Sequence, residues 1–370
     1  MKKSTPLFLL IFLTLLLSNC MGIRHITIDT REPGQIDWSP RVLSVVVVNN
    51  VVQQPDSIGH DWLQIGYQSI ERLRVSSDSV AFIYTEALAQ FIDEEEHFER
   101  VLFLHTPIRT DEYFFEERPL SLDDLRDILR ETRADAIISL DRLMMQTRMR
   151  EHFREGDFVF GELVVHIQSG VRIYMPTLEG VIPMLYNHRP DSLVWRGFSP
   201  IGRMTYGTTY EEAMEILTIY AMIYGIDVLP THEEAMKILA IHTAERMMKR
   251  LSPHWVSQYR WFYTPHNRRM RRGAGFALVN QWDRALERWK VAFHSLQRAE
   301  RAKAATNIAL AYEVLDDLER AHEWAVIAHQ LFEEHTSVNS LERRRSLLHK
   351  NELQRRLNNL NRLLDMTGGH

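Results

Sequence analysis

The sequence predicts an N-terminal three-layer-like α/β domain with a mixed sheet, followed by a C-terminal helical domain. Three observations lead there. Apolar β-branched runs alternate with helix-period stretches between residues 42 and 140, which implies parallel strands joined by helical crossovers. From residue 158 to 175 the pattern changes to apolar/polar alternation, the period of half-buried strands. Beyond residue 263 the chain is helical in character, and small residues recur in two copies 36 positions apart. The expected organisation is a signal peptide over 1–19, a tether over 20–40, the α/β domain over 41–262 and the helical domain over 263–370.

Taken in order, Val42 to Val48 is a nearly continuous apolar run, as in a strand buried on both faces. Ser77 or Asp78 can cap the next helix, where Val80, Tyr84, Ala87, Leu88 and Phe91 share one face. Val101 to Leu104 reads as a strand, and Ser121 with Asp124 has the form of a capping box. Leu125, Ile128 and Leu129 line that helix, and Ala134 to Leu140 is the third strand. Leu163, Val165 and Ile167 then alternate with Glu162, His166 and Gln168, and Gly170 marks a bulge or bend. Strands over 180–186 and 192–198 follow, then helices over about 209–224 and 232–250. Ile216 to Tyr224 is apolar nearly all round but too short to span a bilayer, which takes about 20 residues, so it is expected to be buried.

In the last third, Ala302 begins a 34-residue unit with Asn307, Ile308, Ala309, Tyr312, Ala321 and Ala328 at recurring positions. Gly273, Phe276, Ala285, Trp289 and Ala292 repeat the pattern 36 residues earlier. The unit resembles a tetratricopeptide repeat, in which small residues allow close helix approach and an aromatic fills the space beside them. A final helix over about 339–365 is expected to pack on these two repeats.

Lys2 and Lys3, then the apolar stretch Leu7 to Leu17, then Leu17-Ser18-Asn19-Cys20, form the start of the chain. Cys20 is the only cysteine. A leucine three positions before it resembles a bacterial lipobox, which implies cleavage before Cys20 and lipidation, including palmitate, of that residue. With that thiol acylated, disulfides, thiolate metal sites and cysteine catalysis are excluded within the chain. Met21 and the absence of an acidic run after Cys20 point to the outer membrane, facing the periplasm. The lipobox, Val45 to Asn50, Ala134 to Leu140, Ser252 to Trp255 and Lys303 to Ala309 together resemble an uncharacterised family of Bacteroidetes lipoproteins with a tetratricopeptide-like C-terminus. The resemblance brings no activity or binding residue with it.

A formal charge of −5 argues against a general nucleic-acid binder. No phosphate-binding loop and no G-x-S-x-G is present. His232-Glu233 begins like a zinc helix, but residue 236 is Met and the next histidine is His242, so no two-histidine clamp forms. No metal or cofactor is therefore expected. Asp93 to Glu96 fans around a helix end and reads as solvated rather than as a catalytic pair. Arg268, Arg269, Arg271 and Arg272 form the sharpest basic cluster, either a charged helix edge or a surface for phosphate headgroups or an acidic partner. Arg343 to Arg345 reads in the same way.

Trp255, Tyr259, Trp261, Phe262 and Tyr263 cluster at the joint between the domains and are expected to be core. Trp255 in particular is expected to be buried, because Pro253 sets the chain just before it. The alternative use of the aromatics is a partner-binding patch of Trp261 and Tyr263 with Arg268, Arg269, Arg271 and Arg272. These readings converge on a non-catalytic scaffold lipoprotein that holds an envelope protein partner through its repeats. A cell-envelope enzyme with a pocket assembled from distant residues is the alternative.

Overall fold

In the computed structural model, Val45, Val46, Val47 and Val48 are wholly buried on an interior strand of a six-stranded sheet. The structure describes residues 22–55, 58–59, 62–65, 68–71, 77–109, 111–155, 158–177, 180–187, 190–200, 210–264, 267–295 and 297–367. The signal peptide and Cys20 lie outside the described residues. The strands are β1 (Ile23–Glu32), β2 (Ser44–Asn49), β3 (Trp62–Ile65), β4 (Gln68–Glu71), β5 (Arg100–Leu104), β6 (Ala136–Glu155), β7 (Phe158–Thr177), β8 (Gly180–Asn187), β9 (Asp191–Pro200) and β10 (His254–Tyr263). The helices are α1 (Ser77–Glu94), α2 (Leu122–Thr132), α3 (Tyr210–Tyr224), α4 (His232–Leu251), α5 (Arg268–Leu278), α6 (Trp282–Ser295), α7 (Arg298–Val314), α8 (Leu318–His335) and α9 (Leu341–Thr367). The N-terminal mixed sheet followed by a C-terminal run of helices is the fold class the sequence predicts.

The chain divides into two compact units, Gly34–Pro253 and a second one joining the residues up to Pro33 to those from His254. In the α/β unit the sheet order is β5-β2-β6-β7-β8, with β9 also on β7. β2 pairs in parallel with β5 and β6, and β6 pairs antiparallel with β7. Side chains alternate across β2. Val45 and Val47 join Val80, Tyr84 and Leu88 of α1 and Leu239 and Met247 of α4 in one core. Val46 and Val48 join Leu125 and Ile128 of α2 in another. A sheet covered on both faces forces a continuous apolar run, which is why β2 has no polar alternation.

The capping box of α2 forms as the sequence suggests, with the Ser121 hydroxyl accepting from the Asp124 N–H and the Asp124 carboxylate receiving the Ser121 N–H. β6 and β7 are each 20 residues long. The irregularity expected at Gly170 falls on the partner strand. Leu140 pairs with Val171 and Arg142 with Gly170, so Asp141 is the bulged residue.

Three expectations are corrected. The tether over 20–40 contains a strand: Ile23–Glu32 pairs antiparallel with His254–Tyr263 along all ten residues. Ile36 and Trp38 are buried in the α/β core, with the Trp38 indole donating to the Leu251 carbonyl at 2.7 Å. The boundary expected at 262/263 falls at 253/254, because β10 pairs with β1 and packs among the C-terminal helices. The apolar face of α3 is open rather than buried: Leu217 is covered, while Ile216, Ile219, Met222 and Ile223 are exposed. Among the described residues no helix is long and apolar enough to cross a membrane.

In the second unit α5 and α6 form one hairpin and α7 and α8 the next, followed by α9. Ala285, Trp289, Ala292, Ala309, Ala321 and Ala325 are buried where these helices meet. Gly273 shows the reason for small residues: a Cβ there would lie 2.3 Å from Trp289 Nε1. Ala321 is wholly buried in the second hairpin. Ala321→Leu is expected to overpack that contact and cost roughly 1–3 kcal/mol. A urea midpoint equal to that of the wild type would contradict this helix contact.

Candidate functional site

The basic cluster named from the sequence lies on α5. Asn267 caps this helix, its side-chain oxygen accepting from the Arg269 and Met270 N–H groups. Met270, Gly273, Ala274 and Ala277 turn inward. Helical periodicity then leaves Arg268, Arg269, Arg271 and Arg272 on the outer surface, where all four are exposed. Asn280 turns the chain in a left-handed conformation, φ 58°, and its side chain accepts from the Trp282 indole at 2.6 Å. On the outside of this hairpin Arg272, Gly275, Phe276, Val279, Gln281 and Arg288 line an open groove of about 420 Å³. Its floor is apolar, with Val279 62% exposed. Arg284 lies over the Phe276 ring at 5.8 Å and donates to the Gln281 side chain at 3.0 Å.

The structure does not bring the two nominated aromatics to this surface. Tyr263 is buried. Its backbone is held by Asn307, which accepts from the Tyr263 N–H at 2.7 Å and donates to its carbonyl at 2.8 Å. Burial pushes the Tyr263 hydroxyl up to about 12. Trp261 is half-buried with its ring 5.7 Å from that of His349. Trp255, expected as core, is 54% exposed, and Arg31 lies 5.6 Å from its ring centre. Alternation along β10 puts Trp255 and Tyr259 on the face opposite the buried Phe262. Tyr263 shares the face of Trp255 but is covered at the strand end, where it clusters with Ala302 and Phe332.

Sequence reasoning missed the most highly charged interior site. Glu313 is fully buried on α7 and accepts from Arg260 of β10 through Nε at 3.0 Å and Nη2 at 2.9 Å. Arg356 of α9 donates to it at 2.7 Å, and His349 Nε2 lies 3.3 Å away. Burial alone would raise this carboxyl, but hydrogen bonds and charge from His349 and Arg260 outweigh burial and hold it at about 2. At the rim, Glu32 of β1 takes a bidentate pair from Arg355 at 2.7 and 2.6 Å. The network ties β1, β10, α7 and α9 together and is closed to solvent at its centre. A glutamate inside the apolar stripe Ile308 to Leu315 was its available signal.

A second buried carboxylate sits in the α/β unit. Asp141, at the β6 bulge, accepts from Ser139 at 2.6 Å and Asn50 at 3.0 Å, with Arg172 Nε 3.1 Å away. Burial raises its pKa despite these partners. Its side chain is 1% exposed, so the cluster is a closed polar core without room for a substrate at the carboxylate. Among the described residues no group of three His, Cys, Asp or Glu side chains could hold a metal ion. The acidic run expected to be solvated has Asp93, Glu94 and Glu96 exposed. In the other basic run, Arg343 pairs with Glu333 at 2.6 Å.

Fold and surface define a class: a mixed α/β unit combined with helical hairpins that present a basic, apolar-floored groove. Residues 42–263 match the family described as Domain of unknown function (DUF8603), and the chain belongs to that family. Residues 271–355 match a second one, Domain of unknown function (DUF6340). No curated protein matches the chain. Among solved structures, the hypothetical protein CT253 from Chlamydia trachomatis is 10% identical over 49% of this chain and 95% of that one. Its TM-score of 0.20 is too low to carry an argument.

Proposed function

We propose that this chain is an outer-membrane lipoprotein of the Bacteroidetes type, anchored through Cys20 and facing the periplasm. Its helical unit serves as a non-catalytic scaffold that docks an envelope protein. The observation that carries the docking role is the open groove of about 420 Å³ on the α5–α6 hairpin, bordered by exposed arginines. Arginine and aromatic side chains around a concave apolar floor are the residue types that dominate protein interfaces. Helical hairpins stacked side by side present such surfaces on a rigid frame. The anchor is supported by Lys2, Lys3, the apolar stretch to Leu17 and the spacing of Leu17 to Cys20.

Two measurements test this reading. Cys20→Ala is expected to abolish incorporation of labelled palmitate and release the chain from membranes; retained label rejects the anchor. Photocrosslinking residues at the exposed positions Leu278, Val291 and Val338 are expected to give a discrete protein adduct in native cells from at least one position. If none of the three does so, the docking role falls.

A further inference from the structure

The groove lies in a concentration of arginines without a carboxylate partner. Several other arginines of the helical unit are neutralised: Arg260 and Arg356 by Glu313, Arg320 by Asp317, Arg343 by Glu333 and Arg355 by Glu32. Among the described residues, no carboxylate pairs with Arg268, Arg269, Arg271, Arg272 or Arg288. Helix α5 carries four arginines and no acid in its eleven residues. No ion pair joins Asp283 or Glu287 of the neighbouring α6 to these arginines. With Arg284 of α6, which also has no carboxylate partner among the described residues, these arginines form a local positive field on one hairpin in a chain of net charge −5. Arg272 and Arg288 both line the groove, with Phe276 and Val279 as its floor.

This arrangement specifies chemistry. Guanidinium groups take carboxylates bidentately, and a groove of this size accepts one large apolar side chain with its neighbours. A flat lipid surface has no side chain to place on Phe276 and Val279. We propose that the groove binds an acidic segment of a partner protein, with carboxylates on Arg272 and Arg288 and one apolar side chain on Phe276 and Val279. The inference rests on the docking role given above and names the chemistry of its partner.

The test uses the full chain and a fluorescently labelled short peptide of Asp, Glu and Ser with one central Leu, read by anisotropy. The peptide is expected to bind. Reversing charge in Arg272→Glu with Arg288→Glu should weaken it by at least about tenfold. Gly275→Tyr should weaken it comparably by filling the groove, and it is built to fold: a Cβ at Gly275 meets no atom within 4 Å. A peptide with Lys in place of the acids should not compete. Equal binding by wild type and both variants, or no binding to any of them, overturns the proposal. So does capture of phosphatidylglycerol vesicles through Arg272 and Arg288 without peptide binding. Crosslinked adducts from Leu278, Val291 or Val338 together with a failed peptide would leave the docking role standing and remove only its acidic partner. Failure of all three crosslinking positions would remove the docking role itself.

Discussion

Glu313→Gln is expected to destabilise the helical unit by roughly 3–5 kcal/mol, the range for breaking a buried ion pair. The amide keeps the volume of the side chain but removes the charge that Arg260 and Arg356 share. Those guanidinium groups, little exposed, would keep as carboxylate only the partly exposed Glu352, 3.5 Å from Arg260, beside neutral acceptors on Gln258 and Tyr259. Hydrogen exchange at the α7 amides checks the size of the effect, and rates equal to wild type would reject it.

The same residue sets an acid dependence. Its carboxyl lies at about 2 in the folded chain against an ordinary 4.5. A depressed carboxylate contributes stability that is present above the unfolded value and lost as pH falls towards the folded one. The window is therefore pH 4.5 down to 2, and the contribution is on the order of 3 kcal/mol. Urea midpoints of wild type should fall across that window more steeply than those of Glu313→Gln. Parallel curves would show that Glu313 does not carry the dependence.

Trp289→Ala is expected to cost roughly 3–5 kcal/mol, as for large aromatic truncations in cores. The side chain is wholly buried, its indole donates to the Met270 carbonyl at 3.2 Å, and its ring centre lies 5.9 Å from that of Phe262. Truncation leaves a void facing Gly273, which has no side chain to fill it. Trp255→Ala provides the contrast: with Trp255 54% exposed, the change should stay within about 0.5 kcal/mol. Limited proteolysis of the pair separates them. Rapid cleavage within α5 and α6 is expected for Trp289→Ala and the wild-type pattern for Trp255→Ala, and the reverse result would contradict the burial of both.

How much was legible differs from element to element. β2 could be read because burial on both faces leaves an unbroken run of valines. α2 could be read because Ser121 and Asp124 bond within one turn. β1 could not, although Ile26 and Ile28 alternate with Thr27 and Asp29. Its partner β10 lies more than 200 positions away, as in the Thr30 contact with Val256, and a lone alternating segment beside Pro33 and Gly34 reads equally well as a linker. α3 misled for a related reason. An apolar composition states what a helix would bury, not whether another element arrives to cover it. Of the basic groove, the four α5 arginines were visible as a run, whereas Phe276, Val279 and Arg288 join them only through the α5–α6 turn.

By itself the sequence determined what local rules control: strand against helix period, the α2 cap, the alternation of β7 and the spacing of small residues in the two helical hairpins. Each depends on residues a few positions apart, where backbone geometry dictates which side chains share a face. Only the tertiary structure decided that β1 joins the C-terminal helices, that Glu313 meets Arg260, His349 and Arg356, that Trp255 faces outward while Phe262 is core, and that Arg272 and Arg288 border one apolar groove. Those outcomes depend on which distant surfaces meet, and that is set by the packing of the whole unit rather than by any one segment.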